Sequence, residues 1–224
     1  MNYMKKTKIK TNKNETTTRD FLNGEKKFDN RGAEAKIYFS QLFGKPVVIK
    51  KREVKNYRNR ILDEYLREIR NKTEARCILT CSKNKIPVPQ IYHVERFEII
   101  MERLNGKLLK ETKNSKETYK KVGAILAEMH KAGITHGDFT PANIMKTKNG
   151  IYVIDFGLAM FSKDSEERAI DLLLMKRSVG KNFKYIIEGY RKLPNWEKVL
   201  ETMQEIEKRG RYHKRDKDKK NEDN

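Results

Sequence analysis

At 224 residues the chain has room for one globular unit, or for two small lobes sharing a cleft. Hydrophobic and charged residues each make up 37%, and the net charge is +20; the apolar residues fall in periodic runs, so a buried core can form and a wholly disordered chain is excluded. The basic excess favours polyanionic partners, meaning nucleic acid, an acidic protein face or an anionic membrane surface, while no apolar run reads as a transmembrane span or signal peptide.

Residues 1–28 are rich in Lys, Thr and Asn without periodicity and are expected to form a flexible polar arm. Residues 29–104 read as a small β-rich lobe. Within it, Ile37-Tyr38-Phe39 and Val47-Val48-Ile49 flank a turn at Gly44-Lys45, the pattern of a hairpin. A basic stretch from Lys50 through Arg60 leads into a helix expected from about Ile61 to Cys81. Its apolar face would hold Leu62, Tyr65, Leu66, Ile69, Ile78 and Leu79. Cys77 and Cys81 lie four apart, poorly placed for a disulfide and too few for structural zinc, so they read as reduced thiols. Pro87 and Pro89 end this region, and Phe97 to Met101 is a short strand.

Residues 105–206 read as a second, mostly helical lobe. One amphipathic helix places Val122, Ile125, Leu126 and Met129 on a face, and Ile151 to Ile154 is a strand. Two closing helices follow, one around Ile170 to Met175, the other bearing Trp196, Val199, Leu200, Met203 and Ile206. From Glu207 onward, eight Lys/Arg against five Asp/Glu read as a basic, weakly ordered tail. Strands first and helices afterwards make the fold class α+β.

The chemistry concentrates in His136-Gly137-Asp138-Phe139-Thr140-Pro141-Ala142-Asn143, followed by Asp155-Phe156-Gly157 twelve residues after Asn143. Phosphoryl transfer needs a carboxylate that orients or deprotonates the acceptor, and hard oxygen ligands for magnesium. Asp138 suits the first task; Asn143 and Asp155 suit the second. The spacing matches the kinase catalytic loop and metal motif, and with it a minimal bilobal protein-kinase-like fold that binds ATP and Mg2+. Lys50, ending the strand Val48-Ile49, is then placed for the α- and β-phosphates. Glu64, Glu68 and Glu74 are its candidate ion-pair partners on the long helix. Met101, Glu102 and Leu104 would border the adenine as a hinge. Gly32, Ala33, Glu34, Ala35, Lys36 and Ile37 stand where a glycine-rich phosphate loop belongs, with a single glycine. Gly137 replaces the arginine of many kinases, no Ala-Pro-Glu follows Asp155, and only 67 residues remain after Gly157. A peptide-docking platform does not fit in that length.

Gly32-Ala33-Glu34-Ala35-Lys36-Ile37-Tyr38, Val48-Ile49-Lys50-Lys51-Arg52, Thr73-Glu74-Ala75-Arg76, His136-Gly137-Asp138-Phe139-Thr140 and Glu167-Arg168-Ala169-Ile170-Asp171-Leu172 together resemble a known family. It is the small atypical kinase subunit of the KEOPS complex, in its free-standing archaeal form. The resemblance singles out Glu74 as the partner of Lys50. It implies a cytoplasmic serine/threonine kinase and ATPase that phosphorylates itself. Its partners would be a threonylcarbamoyl-transferase subunit, other KEOPS subunits and tRNA, in modifying the adenosine beside the anticodon. Lys50 to Arg60 and the tail would supply phosphate contacts to the tRNA. The alternatives are a RIO-type kinase, a small-molecule phosphotransferase, or a catalytically silent basic scaffold.

Overall fold

The computed structural model describes residues 22–29 and 35–222, with side chains over 35–209. Strands β2 (Ala35–Leu42) and β3 (Lys45–Arg52) form the expected hairpin, closed by Phe43 and Gly44. Both turn residues have positive φ, 50° and 76°, the backbone that matches the twist of a tight hairpin. Strands β4 (Ile91–Val94) and β5 (Glu98–Glu102) continue the sheet beyond β3, and β1 (Leu22–Asp29) lies on its other side. The antiparallel order is β1-β2-β3-β5-β4.

Strand β1 corrects part of the expected arm. The outer edge of β2 offers backbone N–H and C=O groups to any extended segment beside it, so pairing there needs no apolar alternation. Residues 1–21 lie outside the described residues.

Helix α1 spans Arg60–Lys83, started by Asn59, whose side chain accepts the Ile61 N–H at 2.9 Å. Its apolar face is not the one the periodicity picks out. Leu62, Tyr65, Ile69 and Leu79 are exposed, and only Ile78 of the expected set is buried. The buried face is instead Asp63, Asn71, Glu74, Ala75, Cys77, Ile78 and Cys81. Polar residues prevail there because partners wait for them. Asp63 takes Arg67 at 2.7 Å, and Asn71 donates to the Glu95 and Glu98 carbonyls at 2.9 and 3.3 Å. A buried polar group costs little once bonded.

The C-terminal part of α1 leaves the sheet and joins the larger core, where Cys77, Ile78 and Cys81 meet Leu126, Met129, Phe139 and Phe156. The cysteines are free, and burial pushes their thiols up to about 11 and about 12. They are inert side chains of the core.

The helical lobe comprises α2 (Lys116–Lys131), α3 (Ser165–Val179), α4 (Phe183–Tyr190) and α5 (Trp196–Glu222). Against them lie β6 (Gly106–Leu108), β8 (Ile144–Thr147) and β9 (Gly150–Val153), in the order β6-β8-β9. The short strands β7 (Ile134–Thr135) and β10 (Met160–Phe161) pair on either side of the catalytic segment. Helix α5 corrects the expected tail, which is helical as far as Glu222. Val199 and Met203 are buried, and Lys176 on α3 holds Glu207 at 2.6 Å. An anchored first half removes the nucleation cost, and a Lys/Arg-rich sequence then propagates the helix. Among the described residues no helix is long and apolar enough to cross a membrane.

Helices α2 and α4 touch backbone to backbone. A Cβ on Gly123 would stand 1.9 Å from the Ile186 carbonyl oxygen, and one on Gly189 would stand 1.9 Å from that of Lys120. In an isolated helix Gly→Ala gains roughly 1 kcal/mol. Here the overlap opposes that gain, and forced repacking typically costs about 1–3 kcal/mol. Gly123→Ala is therefore expected to lower the thermal midpoint followed by circular dichroism. An unchanged or raised midpoint would show that the two helices separate freely.

Candidate active site

The cleft between the lobes is lined by Ile37 and Phe39 of β2, Val48 and Lys50 of β3, and Glu74 and Ile78 of α1. Met101 to Leu104 close one side, and Met145, Ile154, Asp155 and Phe156 form the floor. Strand alternation explains the upper wall: residues two apart point to one face, so Ile37 and Phe39 share a side, as do Val48 and Lys50. Arg103 stacks over Phe39 at 4.3 Å from the ring centroid, which fixes the hinge against β2.

Lys50 lies at the centre. Its Nζ donates to Glu74 Oε1 at 2.5 Å and to Asp155 Oδ1 at 2.7 Å. Burial disfavours the ammonium, but the Glu74 and Asp155 carboxylates outweigh it and hold the Lys50 pKa above its ordinary value. Burial also pushes the Asp155 carboxyl up, yet the neighbouring Lys50 ammonium prevails and holds it below the usual range. Both groups are charged at neutral pH. Glu68 is engaged elsewhere, with Lys72 and Arg96 at 2.6 and 2.7 Å, and Glu64 faces Arg60 and Arg96.

The catalytic segment is held by a network of buried polar groups. Asp171 of α3, fully buried, accepts the backbone N–H groups of His136 and Gly137 at 2.7 and 2.9 Å. Its Oδ2 also lies 3.1 Å from His130 Nε2, and His130 Nδ1 lies 2.6 Å from the Tyr190 hydroxyl. Burial lowers the pKa of His130 and of His136, so both rings are neutral. A neutral His136 donates from Nε2 to the Ile154 carbonyl (3.1 Å) and accepts the Asp138 N–H at Nδ1 (3.3 Å). One imidazole thus links the loop of Asp138 to the strand that delivers Asp155. Gly137 has φ +77°, and a Cβ there would approach the Leu158 carbonyl to 2.6 Å. The arginine of ordinary kinases has no room at this position.

Asn143 donates from Nδ2 to the Asp138 carbonyl oxygen at 2.9 Å and to Asp138 Oδ2 at 2.7 Å. The clasp fixes the Asp138 carboxylate and leaves Asn143 Oδ1 as a hard oxygen donor. Asp155, at φ +61°, sits in the left-handed region that aspartate tolerates better than most residues. Its side chain is 57% exposed at the cleft. The donor chemistry of Asn143 and Asp155 fits Mg2+, with nucleotide phosphates completing the shell. Among the described residues no cluster of three or more His, Cys, Asp or Glu forms a resident metal cage.

The structure brings Ile37, Lys50, Glu74, Met101, Glu102, Leu104 and Asp155 together around the cleft. It does not bring Ala35 or Lys36 to the cavity wall: Lys36 faces Glu53 at 3.5 Å. Gly32, Ala33 and Glu34 lie outside the described residues. Sequence reasoning passed over Arg52, whose Nη2 donates to Glu74 Oε2 at 2.5 Å. It also gave no role to Asp171, His130 or His136. Arg52 follows Lys50 by two on one strand, a signal that strand periodicity offers.

A β-sheet lobe over a helical lobe, with Lys50, Glu74 and Asp155 meeting at the cleft and Asn143 clasping Asp138 in the preceding loop, defines a small catalytic core of the protein-kinase type. The chain belongs to the RIO-domain family, whose family model matches residues 10–193, and within it to the BUD32 homologs. It is 39% identical over 176 residues to a probable serine/threonine-protein kinase BUD32 homolog of Archaeoglobus fulgidus, covering 75% of this chain and 90% of that one. It is 37% identical to a probable bifunctional tRNA threonylcarbamoyladenosine biosynthesis protein of Methanobrevibacter smithii, over 81% of this chain and 36% of that protein. The chain therefore spans about a third of that bifunctional relative. The Rio2 kinase of Chaetomium thermophilum, solved as an ADP/Mg2+-phosphoaspartate complex, shares the fold with a TM-score of 0.59 at 17% identity, over 82% of this chain and 65% of that one. The enzyme is an atypical serine/threonine kinase. The RIO relationship, weighed above as a rival, holds at the level of the family and includes the BUD32 homologs.

Lys50→Met and Glu74→Ala are each expected to lower ATP turnover about a hundredfold or more, the usual effect of removing one preorganised electrostatic contact. The double variant should be little worse than either, because the pair acts as a unit. Fully additive losses in steady-state ATPase assays would show that Glu74 acts independently of Lys50.

Proposed function

We propose that this kinase binds ATP with Mg2+ and hydrolyses or transfers its γ-phosphoryl group in support of tRNA threonylcarbamoylation, beside the anticodon, as a cytoplasmic subunit of a KEOPS-type complex. The observation behind the chemistry is the position of Lys50, bonded at once to Glu74 and to Asp155 in a largely apolar cleft. The names of the relatives support the pathway. The bifunctional relatives join two activities in one chain, and this chain matches about a third of their length. On this reading a threonylcarbamoyl-transferase unit supplies the other activity.

The adenine fits between Ile37 and Val48 above and Met145 and Ile154 below, with Met101 at the back. The N–H groups of Glu102 and Arg103 are spent on Gln90 and Pro46 carbonyls, at 2.8 and 3.2 Å. That favours Leu104 as the hinge donor to the adenine edge. Lys50 takes the α- and β-phosphates, held in place by Glu74. Bound Mg2+, on Asn143 and Asp155, would neutralise the phosphate oxygens. Asp138, clasped by Asn143, orients the acceptor and takes its proton.

After Phe161 the described chain consists of α3, α4, α5 and their connections, with no further sheet or platform. The reading favours water, the enzyme itself or a bound partner as acceptor. Asp155→Ala is expected to abolish Mg2+-dependent ATP turnover. Asp138→Asn should lower it by about 10²–10⁴-fold while nucleotide affinity, measured with a fluorescent ATP analogue, stays within a few-fold. Normal turnover in either variant would sink the assignment of these residues to the reaction.

A further inference from the structure

A second cavity, of about 420 Å³, lies in the helical lobe and shares no lining residue with the nucleotide cleft. Part of its wall is Thr140, Pro141 and Ala142, the stretch between Asp138 and Asn143. The turn that follows β6 and the first turns of α2 supply most of the rest. Asn143 makes this wall and the Asp138 carboxylate one rigid unit. Its side chain holds the Asp138 carbonyl and Oδ2, and its backbone N–H donates to the Thr140 carbonyl at 2.9 Å. Two residues of chain span at most about 7 Å, so the cavity begins within a residue's reach of Asp138.

The cavity is rich in donors without partners. Thr140 opens the 3-10 turn Pro141–Asn143, a place where a threonine commonly caps with its hydroxyl, yet it makes no such bond. Among the described residues neither its hydroxyl nor that of Tyr119, which also lines the cavity, has a hydrogen-bond partner, and neither is sealed from solvent. Lys110 is the one charged lining residue; it is exposed and makes no ion pair among the described residues. The adjacent Glu111 carboxylate turns instead to the Leu108 N–H at 3.3 Å. The turn that carries Lys110 is preformed: Asn114 Nδ2 donates to the Leu109 and Thr112 carbonyls at 2.8 and 2.9 Å. One ammonium and two hydroxyls around a cavity without an acid select a ligand that accepts, and a carboxylate above all. Leu109, Pro141 and Val179 complete the wall with apolar surface, which suits the aliphatic stem of such a side chain.

We infer that this cavity seats an acidic side chain of the protein segment that accepts the γ-phosphoryl group, one or two residues from the accepting hydroxyl. The inference rests on the phosphoryl-transfer reading above and gives that reaction a preferred acceptor. In the transfer the accepting hydroxyl gives its proton to Asp138 and its oxygen bonds the γ-phosphorus. The bond from that phosphorus to the bridging oxygen breaks, and ADP leaves with the electron pair. Lys110 pairs with the flanking carboxylate, to which the Thr140 and Tyr119 hydroxyls donate. The cavity is a pocket for a short segment and not a platform for a long one, so the remainder of the acceptor protein finds its own hold.

The test uses the full chain, γ-labelled ATP and two short synthetic peptides. Each peptide carries one serine, flanked by glutamates in the first and by glutamines in the second. The wild type should favour the glutamate peptide at least about tenfold in kcat/KM, the usual worth of one charge-assisted hydrogen bond. Lys110→Gln should bring the two peptides within about twofold of each other, by raising KM for the glutamate peptide at little changed kcat. Lys110→Glu should turn the preference towards a peptide with flanking lysines, and Tyr119→Phe should lose several-fold of the glutamate preference. Binding of a fluorescent ATP analogue and the thermal midpoint should stay as in the wild type, which separates a lost subsite from a lost fold. Equal kcat/KM for the two peptides in the wild type, or a glutamate preference that survives both Lys110 variants, overturns the subsite and leaves the proposed function standing. So does a wild type that hydrolyses ATP and labels neither peptide. A wild type that neither hydrolyses ATP nor labels a peptide overturns the subsite and the proposed function together.

Discussion

Glu74 is 1% exposed and faces two cations, with Lys50 Nζ on one carboxylate oxygen and Arg52 Nη2 on the other. Few arrangements are more constrained. Moving an ion out of water costs several kcal/mol, and only close, hydrogen-bonded counterions return it. At about 4 Å and an effective dielectric near 20, each such pair is worth roughly 4 kcal/mol before desolvation. Glu74 can therefore sit on the buried face of α1 only while β3 presents both cations to it. The converse also holds: without Glu74, two buried cations would share one low-dielectric space. Glu74 thus helps to seat α1 against the sheet, alongside Asn71 on the Glu95 and Glu98 carbonyls. The position of Asp155 follows next, through the other bond of Lys50.

The helical lobe repeats the principle with Asp171. Here the carboxylate gathers backbone N–H groups instead of cations, and so fixes the path of the chain at His136 and Gly137. His130 and Tyr190 extend the support into α2 and α4, whose close approach is set by Gly123 and Gly189. His136 then joins the Asp138 loop to Ile154, the residue before Asp155. The two halves of the catalytic apparatus are thus positioned from opposite lobes, and they meet where Lys50 reaches Asp155.

Much of this was legible in the sequence because the chemistry fixes spacing. The Asp138-to-Asn143 interval has to form the clasp, and the strand before Asp155 has to reach the cleft. The hairpin followed from alternation and the turn at Gly44. What was not legible has a common cause. The hydrophobic period of α1 picks out Leu62, Tyr65 and Ile69, yet the helix buries Asp63, Asn71 and Glu74. Periodicity ranks residues by transfer from water and has no means of knowing that a partner cation or carbonyl waits on the other side. Strand β1 and the helical continuation of α5 were missed likewise, because both draw on neighbours: an open strand edge in one case, an anchored preceding helix in the other.

Arg52 carries the same constraint along α1. The guanidinium donates from Nη2 to Glu74, beside the nucleotide cleft. Its backbone carbonyl accepts from Arg67 at 3.4 Å. Arg52 therefore ties the nucleotide side of Glu74 to the first turns of α1, through its guanidinium on one side and its carbonyl on the other. That connection holds while Glu74 stays buried between its two cations.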